Sequence, residues 1–205
     1  VLRQSQSTDT PPGLGSFASR TTIQAGSALY AAGKALTAHL VALEAERRDL
    51  PPDALVADPQ AIRDRSGKVL CTLAEALDRA AREGGFQVTG KAPVVNTFPS
   101  GCHVAEVRID PETGRVECLG YWAVDDAGRV MSHHAIEGQL RGGIAQGIAG
   151  ALMDGHRFDP DGQVLTGTLM DYTLPRAGDM PPMQVLAHDV PSPTNPLGVK
   201  GAGEA

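Results

Sequence analysis

The stretch EGQLRGGIAQGIAGAL, residues 137–152, restricts the possible fold more than any other part of the chain. Ile136, Leu140, Ile144, Ile148 and Leu152 recur every four residues, which lays one apolar ridge along a helix from about Ala135 to Met153. Gly138, Gly142, Gly143, Gly147 and Gly150 lie in the same span. Each glycine weakens a helix by about 1 kcal/mol relative to alanine. Close packing or a bound ligand has to offset that loss, and tight helix packing through small residues satisfies the pattern as readily as a ligand does. Gln139, Arg141 and Gln146 add polar groups to this otherwise apolar surface.

The flanking patterns describe an α+β fold with mixed sheets and packed helices. Ala25, Leu29, Ala32, Leu36, Leu40 and Leu43 mark one face of a long helix that Pro51-Pro52 stops. Thr72 and Glu75 form a capping box that opens a second helix, with Leu73, Leu77 and Ala81 inward and Gly84-Gly85 at its end. HVAEVRI alternates, with His103, Ala105, Val107 and Ile109 on one side, and leads through the turn DPETG into the strand RVECLGYWAV. Further strands are expected at Gln163–Leu169 and Met183–His188, with turns at DDAG and DPDG. A weakly patterned connecting segment near Gly85–Ser100, before the hairpin, divides the chain into regions 1–95 and 96–205.

Composition excludes several functions. A net charge of −6 opposes a nucleic-acid partner, whose phosphates need a basic face. Cys71, Cys102 and Cys118 are too scattered for a cluster or zinc pattern, and their odd number opposes a disulfide framework. Reduced thiols point to the cytoplasm, with the periplasm left open. No apolar run is long enough to span a bilayer. His133 and His134 are adjacent, and neighbours rarely face one metal ion, so no metal site is read there. The opening on VLRQSQS fits a piece of a longer chain.

Two glycine-rich stretches carry candidate chemistry. GLGSFA fits G-x-G-x-x-A, but it follows QSQSTDTPP rather than a strand, which opposes a dinucleotide fold. Its anion-binding chemistry remains: Ser16, Ser19, Thr21 and Thr22 offer hydroxyls, and Arg20 a charged fork, at the start of a helix. An ordinary capped helix start explains the same residues. The chain closes on NPLGVKGAGEA, where Gly198, Gly201 and Gly203 surround Lys200 and present the carboxylate Glu204. By residue type alone Glu204 is equally a solvated side chain.

Taken in order, PPGLGSFASRTT, FPSGCHVAEVRIDPETG, VDDAGRV, EGQLRGGIAQGIAGAL, LTGTLMDYTLPRAGDMPP and SPTNPLGVKGAGEA resemble one family. It is the xanthine dehydrogenase and aldehyde oxidase family of molybdenum hydroxylases. The likeness is to the C-terminal part of the molybdopterin-binding large subunit, nearest the bacterial carbon monoxide dehydrogenase large-chain type. It covers almost the whole chain and is weakest from about Pro51 to Val95.

The resemblance implies an oxidoreductase that oxidises an aldehyde, an N-heterocycle or a similar small substrate with water-derived oxygen. Its cofactor would be molybdenum held by molybdopterin, in the cytosine dinucleotide form, with iron–sulfur clusters and FAD on partner subunits or domains. Glu204 takes the place of the family's active-site base, and partial burial is expected to raise its pKa. Gly15, Ser16, Phe17, Ala18, Ser19, Arg20 and Thr21 would cradle the cofactor, joined by Gln139, Lys200, Gly201 and Gly203. Arg141 is a weaker candidate. The family's subunit is much longer, so the chain is expected to be a fragment or one half of a split subunit, inactive alone. The alternative is a non-catalytic piece that acts only by assembling with partner subunits.

Overall fold

The structure is a computed structural model that describes Thr8, Gly13 and residues 15–93 and 95–204. Most of the expected polar start, and Leu14 within the first glycine loop, lie outside the described residues. The chain forms two compact units, Gln24–Val95 on one hand and Val1–Ile23 with Asn96–Ala205 on the other. The division expected at residue 95 put the Gly13–Thr22 loop with the long helix, whereas contacts group it with the C-terminal half.

Helix α1 spans Thr21–Arg47. Strands β1 (Leu55–Ala57), β2 (Ala61–Asp64) and β3 (Val69–Thr72) form an antiparallel sheet in sequence order, and helix α2 (Leu73–Arg82) follows directly. Leu40 and Ala45 of α1 pack on Leu55, Ile62, Cys71, Ala76 and Ala80. Only the C-terminal half of α1 meets this core. Leu29, expected inward, is therefore 75% exposed and Ala25 is exposed, while Leu36, Leu40 and Leu43 pack as expected. The capping box of Thr72 and Glu75 is present in both directions. Leu73 packs on this core as expected, with Ala76 and Ala80 three and seven residues on, while Leu77 and Ala81 are exposed because they fall off that helical face.

Glu44 lies in the same unit, 2% exposed, and accepts hydrogen bonds from Arg47, Arg48 and Arg79. Burial pushes its carboxyl up. The Arg79 hydrogen bond and the charges of Arg79, Arg47 and Arg48 outweigh burial and hold it below the usual carboxylate range.

In the other unit, β4 (Gly101–Ile109) and β5 (Val116–Asp125) form an antiparallel hairpin with a register shift between Glu106 and Val107. Helix α3 (His133–Leu152) follows, and β6 (Met183–Ala187) then pairs parallel with β5. The α+β reading thus contains one β–α–β crossover that the sequence patterns did not reveal. Ile144 and Ile148 of α3 pack on Ala123, with Tyr121, Met183 and Val185 around them. Leu140 is also buried, while the ridge frays at its end, where Leu152 is 44% exposed. His103, Ala105 and Val107 face α3 along a shared groove, and Ile109 lies beyond its lining. Residues 163–169 form no strand; Val164 makes only an isolated bridge to Phe158, and Leu165 donates its N–H to the Arg157 carbonyl.

Glu44 gives the first unit a testable pH dependence. Its pKa is depressed on folding, so its contribution is complete above the unfolded value of about 4.3 and is lost as pH falls through the folded value. We expect Glu44→Gln to lower stability by about 1.5–3 kcal/mol at neutral pH, with the gap closing below about pH 4. Urea midpoints at pH 7 and at low pH would check this, and equal midpoints at neutral pH would contradict it.

Candidate functional site

The loop at residues 15–20 bends by placing Gly15, Ala18 and Ser19 at φ +78°, +51° and +48°. Glycine accepts that geometry freely, whereas Ala18 and Ser19 each store about 1–3 kcal/mol of strain. Side chains hold the strained turn in place. Ser19 Oγ donates to the Ala202 carbonyl at 2.9 Å, tying the loop to the far end of the chain. The Arg20 guanidinium stacks 3.4 Å over the Phe17 ring and donates to the Gly15 carbonyl at 3.2 Å. Ser16 and Thr21 hydroxyls bond each other across the turn. The loop then enters α1, whose first N–H groups have no partner inside the helix.

The C-terminal loop is fixed from several directions. Asn195 Nδ2 donates to the Val199 carbonyl at 2.9 Å, and the Val199 N–H returns to Asn195 Oδ1 at 3.2 Å. The Gly198 carbonyl accepts the N–H groups of Arg129 and Ser192, and the Gly201 N–H reaches Thr97 Oγ1. Lys200 pairs with Asp126, a carboxylate that also accepts the N–H groups of Gly128 and Val190. Burial raises the Asp126 carboxyl. The Lys200 and backbone hydrogen bonds, with the Lys200 charge, overcome this and leave it below its ordinary value.

Helix α3 receives this loop at a glycine. A Cβ on Gly143 would stand 2.5 Å from the Gly203 carbonyl oxygen. Gly203 itself, at φ +80°, would place a Cβ 2.7 Å from the Gln139 carbonyl oxygen. The remaining helix glycines, Gly138, Gly142, Gly147 and Gly150, face open space.

The three segments meet around a cleft of about 410 Å³. Ser16, Phe17, Ser19 and Thr21 line it from the loop, Gln139 from α3, and Lys200 and Glu204 from the terminus. A second cavity of about 200 Å³ shares Ser19 and Glu204 and adds Ala18, Gly201 and Gly203. Gly15 and Arg20 line neither space and act on the loop's shape. Arg141 turns away, pairing with Glu137 at 2.9 Å and donating to the Met183 carbonyl. Glu204 is exposed, so these residues do not supply the partial burial expected of it. Thr22, one of the loop hydroxyls read from the sequence, joins the cleft, while Thr97 and Asp125 join the second cavity without having been singled out there. Asp125 reads as an ordinary turn residue, and Thr97 sits in patternless chain.

Chemically, the cleft offers hydroxyls, an amide and a helix N-terminus to a polar or anionic group, with one carboxylate able to take a proton beside it. Among the described residues, no cluster of three or more His, Cys, Asp or Glu could hold a metal ion directly. No helix among them is long and apolar enough to cross a membrane.

Comparison with known proteins gives these features a context. A family model described as the molybdopterin cofactor-binding domain matches residues 1–181. The 6-hydroxypseudooxynicotine dehydrogenase complex subunit gamma of Paenarthrobacter nicotinovorans is 34% identical, aligned over 95% of this chain and 26% of its own length. The carbon monoxide dehydrogenase large chain of Hydrogenophaga pseudoflava is 29% identical over all of this chain and 26% of its own. The crystal structure of the Cu,Mo-CO dehydrogenase in its carbon monoxide reduced state superposes with a TM-score of 0.83 at 28% identity, covering 96% of this chain and 26% of that one. The chain therefore spans about a quarter of the length of these relatives.

The glycine contacts separate two otherwise similar substitutions. Gly143→Ala has to displace the Gly203 backbone and should destabilise the 205-residue chain by about 1–3 kcal/mol. Gly147→Ala meets nothing and should be neutral or stabilising by up to about 1 kcal/mol. Thermal unfolding of both variants checks the pair, and equal effects would contradict the assigned contact.

Proposed function

The chain belongs to the molybdopterin cofactor-binding domain family, and from that premise we propose that it forms part of the large subunit of a molybdenum hydroxylase. In this reading the chain provides one wall of the cofactor site and the catalytic base. The observation that carries it is the convergence of the 16–22 loop, Gln139 and the 200–204 loop on one cleft that includes Glu204.

The donor set fits such a cofactor. Ser16, Thr21 and Thr22 retain hydroxyl capacity, and the N-terminal N–H groups of α1 suit phosphate oxygens. The Gln139 side chain both donates and accepts, as the edge of a pterin requires. The Lys200 charge is matched by Asp126, so the cleft recognises its ligand mainly through hydrogen bonds. The backbone at Gly143 and Gly203 approaches closely enough that a side chain on either would distort the wall.

When bound, the molybdenum cofactor supplies the two-electron oxidation of the substrate with water-derived oxygen. Glu204 accepts the proton released as that oxygen is transferred. The 16–22 loop and Gln139 hold the cofactor against the cleft, and the glycine contact keeps Glu204 from drifting away from it. The cytosine dinucleotide form of the pterin, and iron–sulfur and FAD partners that carry the electrons onward, complete the proposal. An aldehyde, an N-heterocycle or a similar small molecule is the substrate class. The names of two relatives carry 6-hydroxypseudooxynicotine and carbon monoxide, which supports a small-molecule substrate.

Val104, Trp122, Val124 and Leu186 stand exposed on the sheet, and Gly138, Gly142 and Gly150 of α3 face open space. Both fit burial against the remainder of the subunit. Purified alone from a host that makes the cofactor, the chain should hold no stoichiometric molybdenum and reduce no dye. A metal content near one per chain with substrate-dependent dye reduction would contradict this. In the intact enzyme, Glu204→Gln should keep its molybdenum and pterin and lose about 10²–10⁴-fold in turnover. Turnover close to the parent's at equal metal loading would remove the base assignment.

A further inference from the structure

The proposed chemistry leaves one hydrogen-bonded chain unused. The register of β4 on β5 pairs Gly101 with Asp125, His103 with Ala123 and Ala105 with Tyr121. Asp125, His103 and Tyr121 therefore emerge on one face of the hairpin as diagonal neighbours. His103 Nε2 lies 3.0 Å from Asp125 Oδ2, and His103 Nδ1 lies 3.2 Å from Tyr121 Oη. The His103 and Tyr121 rings meet edge to face. The side chains of Asp125 and His103 are 7% and 21% exposed.

The two ends of this chain open into different spaces. Asp125 lines the 200 Å³ cavity that also holds Gly203 and Glu204. His103 and Tyr121 line the separate groove of about 340 Å³ between β4, β5 and α3. Gly147, whose missing side chain would meet nothing, keeps that groove open where a larger residue would fill it. Its α3 side presents only glycine, alanine, isoleucine and leucine, so Cys118 on β5 is the other titratable group that lines it. Burial raises the Tyr121 hydroxyl above its usual pKa, with the charges of Cys118 and Asp125 adding to the effect. The hydroxyl therefore stays protonated at neutral pH and can both donate and accept.

We infer that Asp125, His103 and Tyr121 form a proton path between the Glu204 cavity and the groove beside α3. The inference rests on Glu204 acting as the base. A proton taken up by Glu204 reaches Asp125 through water in their shared cavity. Asp125 passes it to His103 Nε2 as Nδ1–H gives its proton to Tyr121 Oη. The hydroxyl simultaneously releases its original proton to water in the groove. One proton enters and one leaves. Asp125 returns to carboxylate, Tyr121 remains a hydroxyl, and the neutral ring, left with its proton on Nε2, resets by swinging off Asp125, giving that proton to groove water and taking one back at Nδ1, so that one proton in all has reached the groove. A polar trio with a purely packing role would need no opening at either end, and this one has an opening at both.

The test uses the assembled enzyme, with a substrate chosen from a panel of aldehydes and N-heterocycles by dye reduction. His103→Gln keeps a donor and an acceptor in place but cannot carry a proton. Turnover per bound molybdenum should fall at least about 10-fold with KM unchanged. His103→Gly leaves room for a free ring. Added imidazole should raise its thermal midpoint, an effect independent of activity, and restore turnover. Turnover in His103→Gln within about twofold of the parent, or His103→Gly that imidazole does not reactivate, overturns the path. Glu204→Gln separates the two readings. If it retains full turnover, the base assignment fails and the path falls with it. If it loses turnover that imidazole does not restore while His103→Gln is unaffected, the path alone fails.

Discussion

Backbone meets backbone where the Gly203 carbonyl lies against α3 at Gly143. A Cβ on Gly143 would come within 2.5 Å of that oxygen, so the approach exists only because the helix has no side chain there. The consequences reach outward from this contact. Gly203 sits over the carbonyl of Gln139, which fixes the terminal loop relative to the one amide that α3 contributes to the cleft. Ala202 accepts the Ser19 hydroxyl, which brings in the strained loop before α1. The placement of Glu204 is set by contacts made by its neighbours.

Such a loop would wander without anchors behind it. Asn195 clamps Val199 in both directions, and Asp126 gathers Lys200, Gly128 and Val190 around one carboxylate. Lys200 thus works as much for the architecture as for the cleft. The strain at Ala18 and Ser19 has the same logic. Two non-glycine residues in left-handed geometry persist only where surrounding bonds over-determine them, and here the ties run to Ala202 and through Arg20 to Phe17 and Gly15.

Much of this was legible before any coordinates. The four-residue spacing of α3, the Thr72–Glu75 capping box and the β4–β5 alternation each state a local rule that the fold obeys. The glycines of α3 announced close packing, but not that Gly143 alone makes the contact while four others face open space, because that depends on where a distant loop lands. Strands β1, β2 and β3 went unread, being three and four residues long and so too short to show a period. Residues 163–169 had strand composition without a partner strand to pair with. In the site, the Ser/Thr loop and Glu204 were visible as residue types in unusual settings. Asp125 was hidden inside what reads as a turn, and its link to His103 appears only once strand register brings residues 22 positions apart side by side.

The central claim is that the wall formed by the 16–22 loop, Gln139 and Glu204 faces the molybdenum cofactor. Anomalous diffraction at the molybdenum edge, from crystals of the intact subunit loaded with cofactor, tests it most directly. The expected result is an anomalous peak over this cleft, with the Glu204 carboxylate within direct or one-water reach of the reacting centre. A peak placed elsewhere, such as over the groove between β4 and α3, with Glu204 turned to bulk solvent, would contradict it.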